Sequence, residues 1–533
     1  METFTLCLIL ALYAFALKLV GRKLGIIDPI ILVVGGSLLA LTDWIDSIHL
    51  DPKLAMVIFL PPVLYQAAIS LSWREFTHNL RSILVLAVGL VLITATAVAA
   101  VGYWYIGLPL AAAFVLGAIV SPPDAVAATA VLGKLRVPKR IVTILEGESL
   151  INDATALVFY VFAVAAVVNG IFNPIEALGE FVWVSIAGIA IGLAIGKATI
   201  LVHRRIEDPL LEILLSLTIP FVAYIGAEHV HASGVLAVVA AGLLRGAYSS
   251  RVLSATTRVQ LLSMWQIIVF TLNAIGFLLI GIELRTVIMS LNASGAYTPG
   301  QLACYAAAIC ATVVLVRFAV IFPMAWIPRT LNKNFAERDP MPSIGTLTVM
   351  SWAGMRGIVS LVAALALPRA IDAPYGPFPG RDLILFLSYS VLLVTLIGQG
   401  STLGWLARKL KVEVAACSPT MGRSARASLR EAGLEALRRW SEGKSPTAVE
   451  RLGQHYEQML ARLKAPESDN TLEELIAQDT RDYRELAKSA LRAERLRLME
   501  MRRKGEIEDD LALALQQELD LHEILIGTER GVG

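Results

Sequence analysis

Three short stretches of the chain set ionisable side chains among apolar ones. EGESLINDATALVFY (146–160) opens a segment that stays apolar to Val168, yet carries Glu146, Glu148, Ser149, Asn152 and Asp153 at its head. At 100° per residue Ser149 and Asp153 share one helix face, with Glu146 a turn earlier, while Glu148 and Asn152 share another. The first face offers a hydroxyl and a carboxylate, oxygen donors that suit a hard cation. The second offers a carboxylate for a structural partner. GAIVSPPDAVAATAVL (117–132) holds Ser121, Pro122, Pro123 and Asp124 near its middle. Two adjacent prolines remove two amide donors and clash with the preceding turn, so a helix breaks there and frees carbonyl oxygens beside Asp124. TLTVMSWAGMRGIVSLVAALALP (346–368) places Arg356 between Gly354 and Gly357. A guanidinium fixed at that depth needs an anion, and Glu148 is the expected partner.

The elements that hold these residues read as membrane spans. Of 533 residues 56% are hydrophobic and 17% charged. Soluble chains carry nearer a quarter charged residues. Residues 1–411 hold 27 Lys/Arg and 21 Asp/Glu, against 19 and 23 in residues 412–533. That division predicts an all-α polytopic membrane domain over 1–411 and a cytosolic helical tail over 412–533. A span needs about 20 apolar residues. Thirteen stretches qualify: 3–20, 24–41, 54–71, 83–105, 108–132, 141–168, 180–202, 210–229, 232–245, 261–283, 299–327, 343–368 and 382–407. The first lacks a basic leader and a small-residue cleavage site, so it reads as a retained span and not a signal peptide. Loops alternate between basic ones, such as Lys134–Arg140 and Arg408–Lys411, and loops holding only Lys53, Arg285, Arg369 and Arg381. The positive-inside rule then puts the N-terminus outside and the tail in the cytoplasm.

A charge at mid-bilayer costs about 2.5–3.5 kcal/mol on insertion scales and faces a cavity or a partner. The three stretches are therefore candidates for function. If span seven is a linker, spans one to six and eight to thirteen form two inverted sixfold halves. The fifth member of each half is the interrupted one, which is the pattern that marks a transporter's midplane site. Cys7, Cys304, Cys310 and Cys417 have no metal or redox spacing. No basic patch interleaved with aromatics suggests nucleic acid. GESL (147–150) superficially offers a serine nucleophile, but no histidine partner lies at membrane depth, so an enzyme is not expected. His229 and His231 stand in an expected external loop.

With these residues in view, the chain resembles the sodium/proton antiporters of the NhaP/NHE branch of the monovalent cation–proton antiporters. The matching stretches are FLPPVLYQAAI (59–69), GAIVSPPDAVAATAVL (117–132), EGESLINDATALVFY (146–160) and WAGMRGIVSLVAALALP (352–368). The resemblance implies an antiporter fold of two inverted six-helix repeats with interrupted crossing helices. It implies a homodimer in a bacterial plasma membrane that exchanges sodium, lithium or potassium for protons by alternating access, with no cofactor. Asp153 would be the ion- and proton-carrying carboxylate. Asn152 before it would mark the electroneutral branch. Ser149, Asp124 and the backbone carbonyl of Pro123 would help hold the cation, and Glu148–Arg356 would be a structural ion pair. Gln66 and Ser121 are accessory candidates. The family often has Thr-Asp-Pro where this chain has Pro123-Asp124-Ala125, and some members have Glu where it has Gln66. The rivals are a potassium/proton antiporter and a cation channel.

Overall fold

The computed structural model describes residues 2–24, 28–41 and 52–412 apart from 134, 136, 170–173, 207, 254, 369 and 372–375, then 419–440 and scattered positions from 450 onward. Contacts divide the chain into two units, Met1–Glu413 and Val414–Gly533.

The first unit is helical among the described residues, apart from a two-residue antiparallel ladder that pairs Ala370 with Pro377 and Ile371 with Gly376. Its helices are α1 (Glu2–Leu24), α2 (Asp28–Leu39), α3 (Pro52–Ser70), α4 (Leu80–Ile106), α5 (Leu110–Val120), α6 (Ala125–Leu132), α7 (Lys139–Asn169), α8 (Pro174–His203), α9 (Pro209–His229), α10 (Gly234–Val252), α11 (Ala255–Ser294), α12 (Pro299–Leu331), α13 (Ile344–Trp352), α14 (Ile358–Leu365) and α15 (Arg381–Lys409). Short helices Trp73–His78 and Lys333–Arg338 lie in the connections.

Among the described residues seven helical stretches are long and apolar enough to cross a membrane: Leu80–Ile106, Arg140–Val168, Gly179–His203, Pro209–His229, Thr257–Ala293, Pro299–Leu331 and Arg381–Lys409. Asp28–Leu39, Met56–Ser70, Leu110–Val120 and Gly234–Ser249 are apolar but shorter. Two of the stretches read from sequence, 108–132 and 343–368, are each divided into half-helices too short to cross alone.

Helix starts follow local chemistry. Asp208 caps α9, accepting from the Leu210 amide at 2.8 Å. Thr298 and Gln301 form a reciprocal capping box at α12. Ser343 accepts from the Thr346 amide at 3.1 Å to start α13. Each satisfies an amide that the first turn leaves without a helical partner.

The helices sort into two packed groups. One joins α1, α2, α3, α8, α9, α10 and α11, with α8 on α10, α2 on α11 and α3 on α10 as its main seams. The other joins α4, α5, α7, α12, α13 and α15. Backbones approach closely where side chains are absent: a Cβ at Gly36 would strike the Leu278 carbonyl, and one at Gly281 the Val33 carbonyl. Small residues let membrane helices pack without a hydrophobic driving force between them. α11 meets α15 where the two groups face each other, and α14 packs between them against α3 and α15.

In the second unit α16 (Pro419–Trp440) spans the periodic run 425–440. Tyr456 sets its ring against Gly433 and 5.5 Å from the Arg430 guanidinium. The periodic runs 471–504 and 506–525 lie outside the described residues, single positions apart.

Candidate cation site

The site is built where two interrupted helices meet. α5 stops at Val120 and α6 restarts at Ala125, with the two prolines between them. α13 stops at Trp352 and α14 restarts at Ile358, with both glycines between them. One backbone bond ties the breaks together, from the Asp124 amide to the Met355 carbonyl at 2.7 Å.

Each break leaves a helix end without partners, and side chains of matching charge meet those ends. Arg356 donates from Nε to the Val120 carbonyl at 2.7 Å and from Nη2 to the Ser121 carbonyl at 3.2 Å, at the negative end of α5. Its Nη1 donates to the Gly354 carbonyl. Its own amide donates to Thr395 Oγ1 at 3.2 Å, within a π-type turn of α15. Arg317 on α12 donates from Nε to the Met350 carbonyl at 3.2 Å, near the negative end of α13. At the positive end of α14, the Asp124 carboxylate fills the space where Gly357 lacks a side chain; a Cβ there would collide with it. At the start of α6, the Ala125 amide donates to Ser149 Oγ at 3.2 Å.

Glu148 does not pair with Arg356 as the sequence reading expected. Both of its oxygens accept from Arg317, Nη1 at 2.5 Å and Nη2 at 3.0 Å, with the two side chains almost fully buried. The reason is positional. Arg356 lies inside a break, where carbonyl oxygens are the nearest acceptors. Arg317 projects from an unbroken helix onto both α7 and α13. Arg317 was missed from sequence, although TVVLVRFAVIF (312–322) strands a lone arginine in an apolar run as plainly as the Arg356 stretch does.

Asn152 is fully buried and donates from Nδ2 to the Pro123 carbonyl at 3.0 Å. That carbonyl can only accept, which fixes the amide orientation. Asn152 Oδ1 is left buried without a hydrogen-bond partner. Ser121 is buried behind the break and donates back to the Ala118 carbonyl at 3.2 Å.

Asp153, Asp124 and Ser149 line one cavity of about 290 Å³, with Gln66 on the facing wall. Gln66 Nε2 donates to Ser70 Oγ at 3.3 Å. The walls come from α3, α6, α7, α11 and α14, so both helix groups contribute. Thr129, Glu146 and Asn273 also line it. Glu146 was placed from sequence one turn before Ser149; Thr129 and Asn273 were missed, since a lone threonine or asparagine in a span carries no periodic signal. Of the other expected residues, Asn152 and Pro123 adjoin this wall through their mutual bond, and Arg356 braces it from behind. The lining is rich in oxygen, three carboxylates with hydroxyl and amide groups, and offers no thiolate or imidazole. Such donors suit a hard cation.

The sodium/hydrogen exchanger transmembrane model matches residues 8–409. An uncharacterized Na+/H+ exchanger of Mycobacterium tuberculosis is 32% identical over 98% of this chain and 96% of its own. The sodium, potassium, lithium and rubidium/H+ antiporter of Bacillus subtilis is 31% identical, covering 100% of this chain and 79% of its own. Among solved structures, the sodium proton antiporter MjNhaP1 of Methanocaldococcus jannaschii at pH 8 aligns with a TM-score of 0.60 at 17% identity, over 77% of this chain and 99% of that one. At that identity the likeness is one of fold.

Proposed function

The chain belongs to the sodium/hydrogen exchanger family, and we propose that it exchanges a monovalent cation for a proton at the carboxylate of Asp153. The observation that carries this is the shared cavity, in which Asp153, Asp124 and Ser149 present oxygen atoms beside the crossing of two broken helices. Non-helical backbone at membrane depth is tolerated where it is buried in protein or lines a wet cavity.

In this reading Asp153, Asp124, Ser149 and the Pro123 carbonyl hold the cation, and the unpartnered Oδ1 of Asn152 lies within the same shell. Asn152 also holds the Pro123 carbonyl in place. Gln66 contributes a neutral oxygen and Ser121 supports the turn. A proton and a cation compete for one carboxylate, so occupancy by either excludes the other. Protonated and sodium-loaded Asp153 carry the same total charge, so exchange of one for the other is electroneutral. Glu148 and Arg317 compensate each other behind the site and stay out of the exchange.

The finer architecture follows from the same reading. Thirteen spans form two inverted halves, each with an interrupted fifth helix. The N-terminus is outside, the tail is cytoplasmic, and the transporter works as a homodimer in a bacterial plasma membrane. α7 starts in the basic loop 134–140, which the positive-inside rule places in the cytoplasm. A cavity that runs along α7 from Asp153 to Glu146 is then open inward.

The test is cation-induced recovery of a pH-sensitive dye in proteoliposomes, with sodium, lithium and potassium in turn. Asp153→Asn abolishes recovery with every cation while the protein remains folded and monodisperse. Retained exchange in that variant removes the assignment. Sodium is the substrate proposed. Potassium is the second reading, favoured by the neutral Gln66 and by the breadth of cations in the Bacillus subtilis relative's name. A channel would pass cations without moving protons against them, and the same assay separates it.

A further inference from the structure

A second cavity, of about 100 Å³ and mostly apolar in its walls, lies on the opposite side of α3 from the cation site. Val63, Gln66, Ala67 and Ser70 face the cation cavity, while Tyr65 and Ile69 face this one. Its polar walls are Tyr65, Ser216 from α9, Arg245 and Ser249 from α10, and Arg258 from α11. Among the described residues no acidic one lines it.

Arg245 is 3% exposed. Its guanidinium has one side-chain hydrogen bond, from Nη2 to His203 Nε2 at 3.0 Å, and its Nε is buried with no partner. Arginine can only donate, so His203 Nε2 accepts and the imidazole is the neutral tautomer, with Nδ1–H donating to the Thr199 carbonyl at 3.0 Å. The histidine therefore supplies no counter-charge. Among the described residues no carboxylate stands within 4.0 Å of Arg245; Glu212, also buried, acts on it as a counter-charge only from farther away and keeps Oε2 unpartnered. Arg258 donates from Nη1 to the Leu253 carbonyl at 2.6 Å, so its charge too is met by a neutral group. A buried cation without a paired anion is strongly disfavoured. With Arg245 offset only by Glu212 from beyond 4.0 Å and the half-buried Arg258 unmatched, one positive charge is in excess beside a small cavity with hydroxyl donors, which describes a receptor for negative charge.

We propose that this cavity binds a small inorganic anion, no larger than phosphate, held by Arg245 and Arg258 with the hydroxyls of Ser216, Ser249 and Tyr65. The bound anion completes the charge balance of the α3–α9–α10–α11 junction. It also stiffens α3, whose other face is a wall of the cation site.

Thermal unfolding of the purified full chain in detergent tests this. Chloride, bromide and inorganic phosphate are each titrated against gluconate, with sodium and ionic strength held constant. At least one anion raises the midpoint saturably by a few degrees, as a ligand of the folded state must. Arg258→Gln, which keeps Arg245 and its histidine in place, raises the half-saturating concentration about tenfold, the loss of one charge-assisted contact. Arg205→Gln, on an exposed turn, leaves it unchanged. No saturable shift with any of the three anions overturns the proposal and leaves water as the occupant. An unchanged half-saturation in Arg258→Gln overturns it too. So does a shift produced by phosphatidylglycerol and by no inorganic anion, which would make the cavity a headgroup site.

Discussion

The two interruptions differ in how they are made. The first, Ser121–Asp124, is broken by its own sequence, because Pro122 and Pro123 cannot donate and cannot continue the helix. The second, 353–357, contains no proline, and its glycines only permit a break. What opens it is the partner. The Met355 carbonyl leaves the helical ladder to accept the Asp124 amide, and Gly357 gives room to the Asp124 carboxylate. Each break also carries the charge that the other's helix end needs, Arg356 at the end of α5 and Asp124 at the start of α14. One break is local and the other is induced, and the crossing exists only when both are present.

Substitutions can separate these contributions. Arg317→Ala has the largest expected effect, because it leaves Glu148 charged and buried and uncaps α13; the loss is about 3–5 kcal/mol. Folded yield and thermal unfolding in detergent report it, and restoration by Glu148→Gln would attribute it to the stranded carboxylate. Arg356→Ala comes next. It strands carbonyls and no carboxylate, so about 1–3 kcal/mol is expected. If Arg356→Ala proved more costly than Arg317→Ala, the assignment of Glu148 to Arg317 would be wrong. Pro122→Ala should cost least of the three, about 0.4–1 kcal/mol, mainly through greater freedom of the unfolded chain. A larger loss would mean that the first break also depends on its partner.

The smallest effect lies away from the crossing. In the connection before α13, Asp339 accepts from Arg140 at 2.6 and 2.9 Å and from Arg329 at 2.8 Å. The hydrogen bonds from Arg140, followed by the charges of Arg140 and Arg329, hold the Asp339 carboxyl below the usual carboxylate range. A lowered folded-state pKa stabilises above the unfolded value, about 4, and that contribution is lost as pH falls through the folded value. The midpoint difference between wild type and Asp339→Asn is therefore present at pH 7 and shrinks below about pH 4. A difference that does not change with pH would assign the bond no electrostatic share.

Much of the site could be read because burying charge in lipid is costly enough to single out residues one by one. Asp124, Glu148, Asp153 and Arg356 stand out against apolar neighbours without any knowledge of packing. Ser149 follows from its position one turn before Asp153. Pairing could not be read in the same way. The choice between Arg356 and Arg317 as partner of Glu148 depends on which guanidinium meets open carbonyls and which meets α7. Asn273 and Thr129 were invisible, because a neutral polar side chain in a span is common and only a cavity gives it meaning.

The sequence by itself determined where the apolar segments lie, where the first helix must break and which carboxylates need a reason to be in the membrane. These follow from transfer free energy and from proline's missing donor, both properties of residues and their near neighbours. Tertiary structure alone decided what opens the second break, which the sequence only marked by its glycines, together with the partner of each arginine and the union of α3, α6, α7, α11 and α14 around one cavity. Those depend on distances between residues far apart in the chain, set by how closely helix backbones can approach.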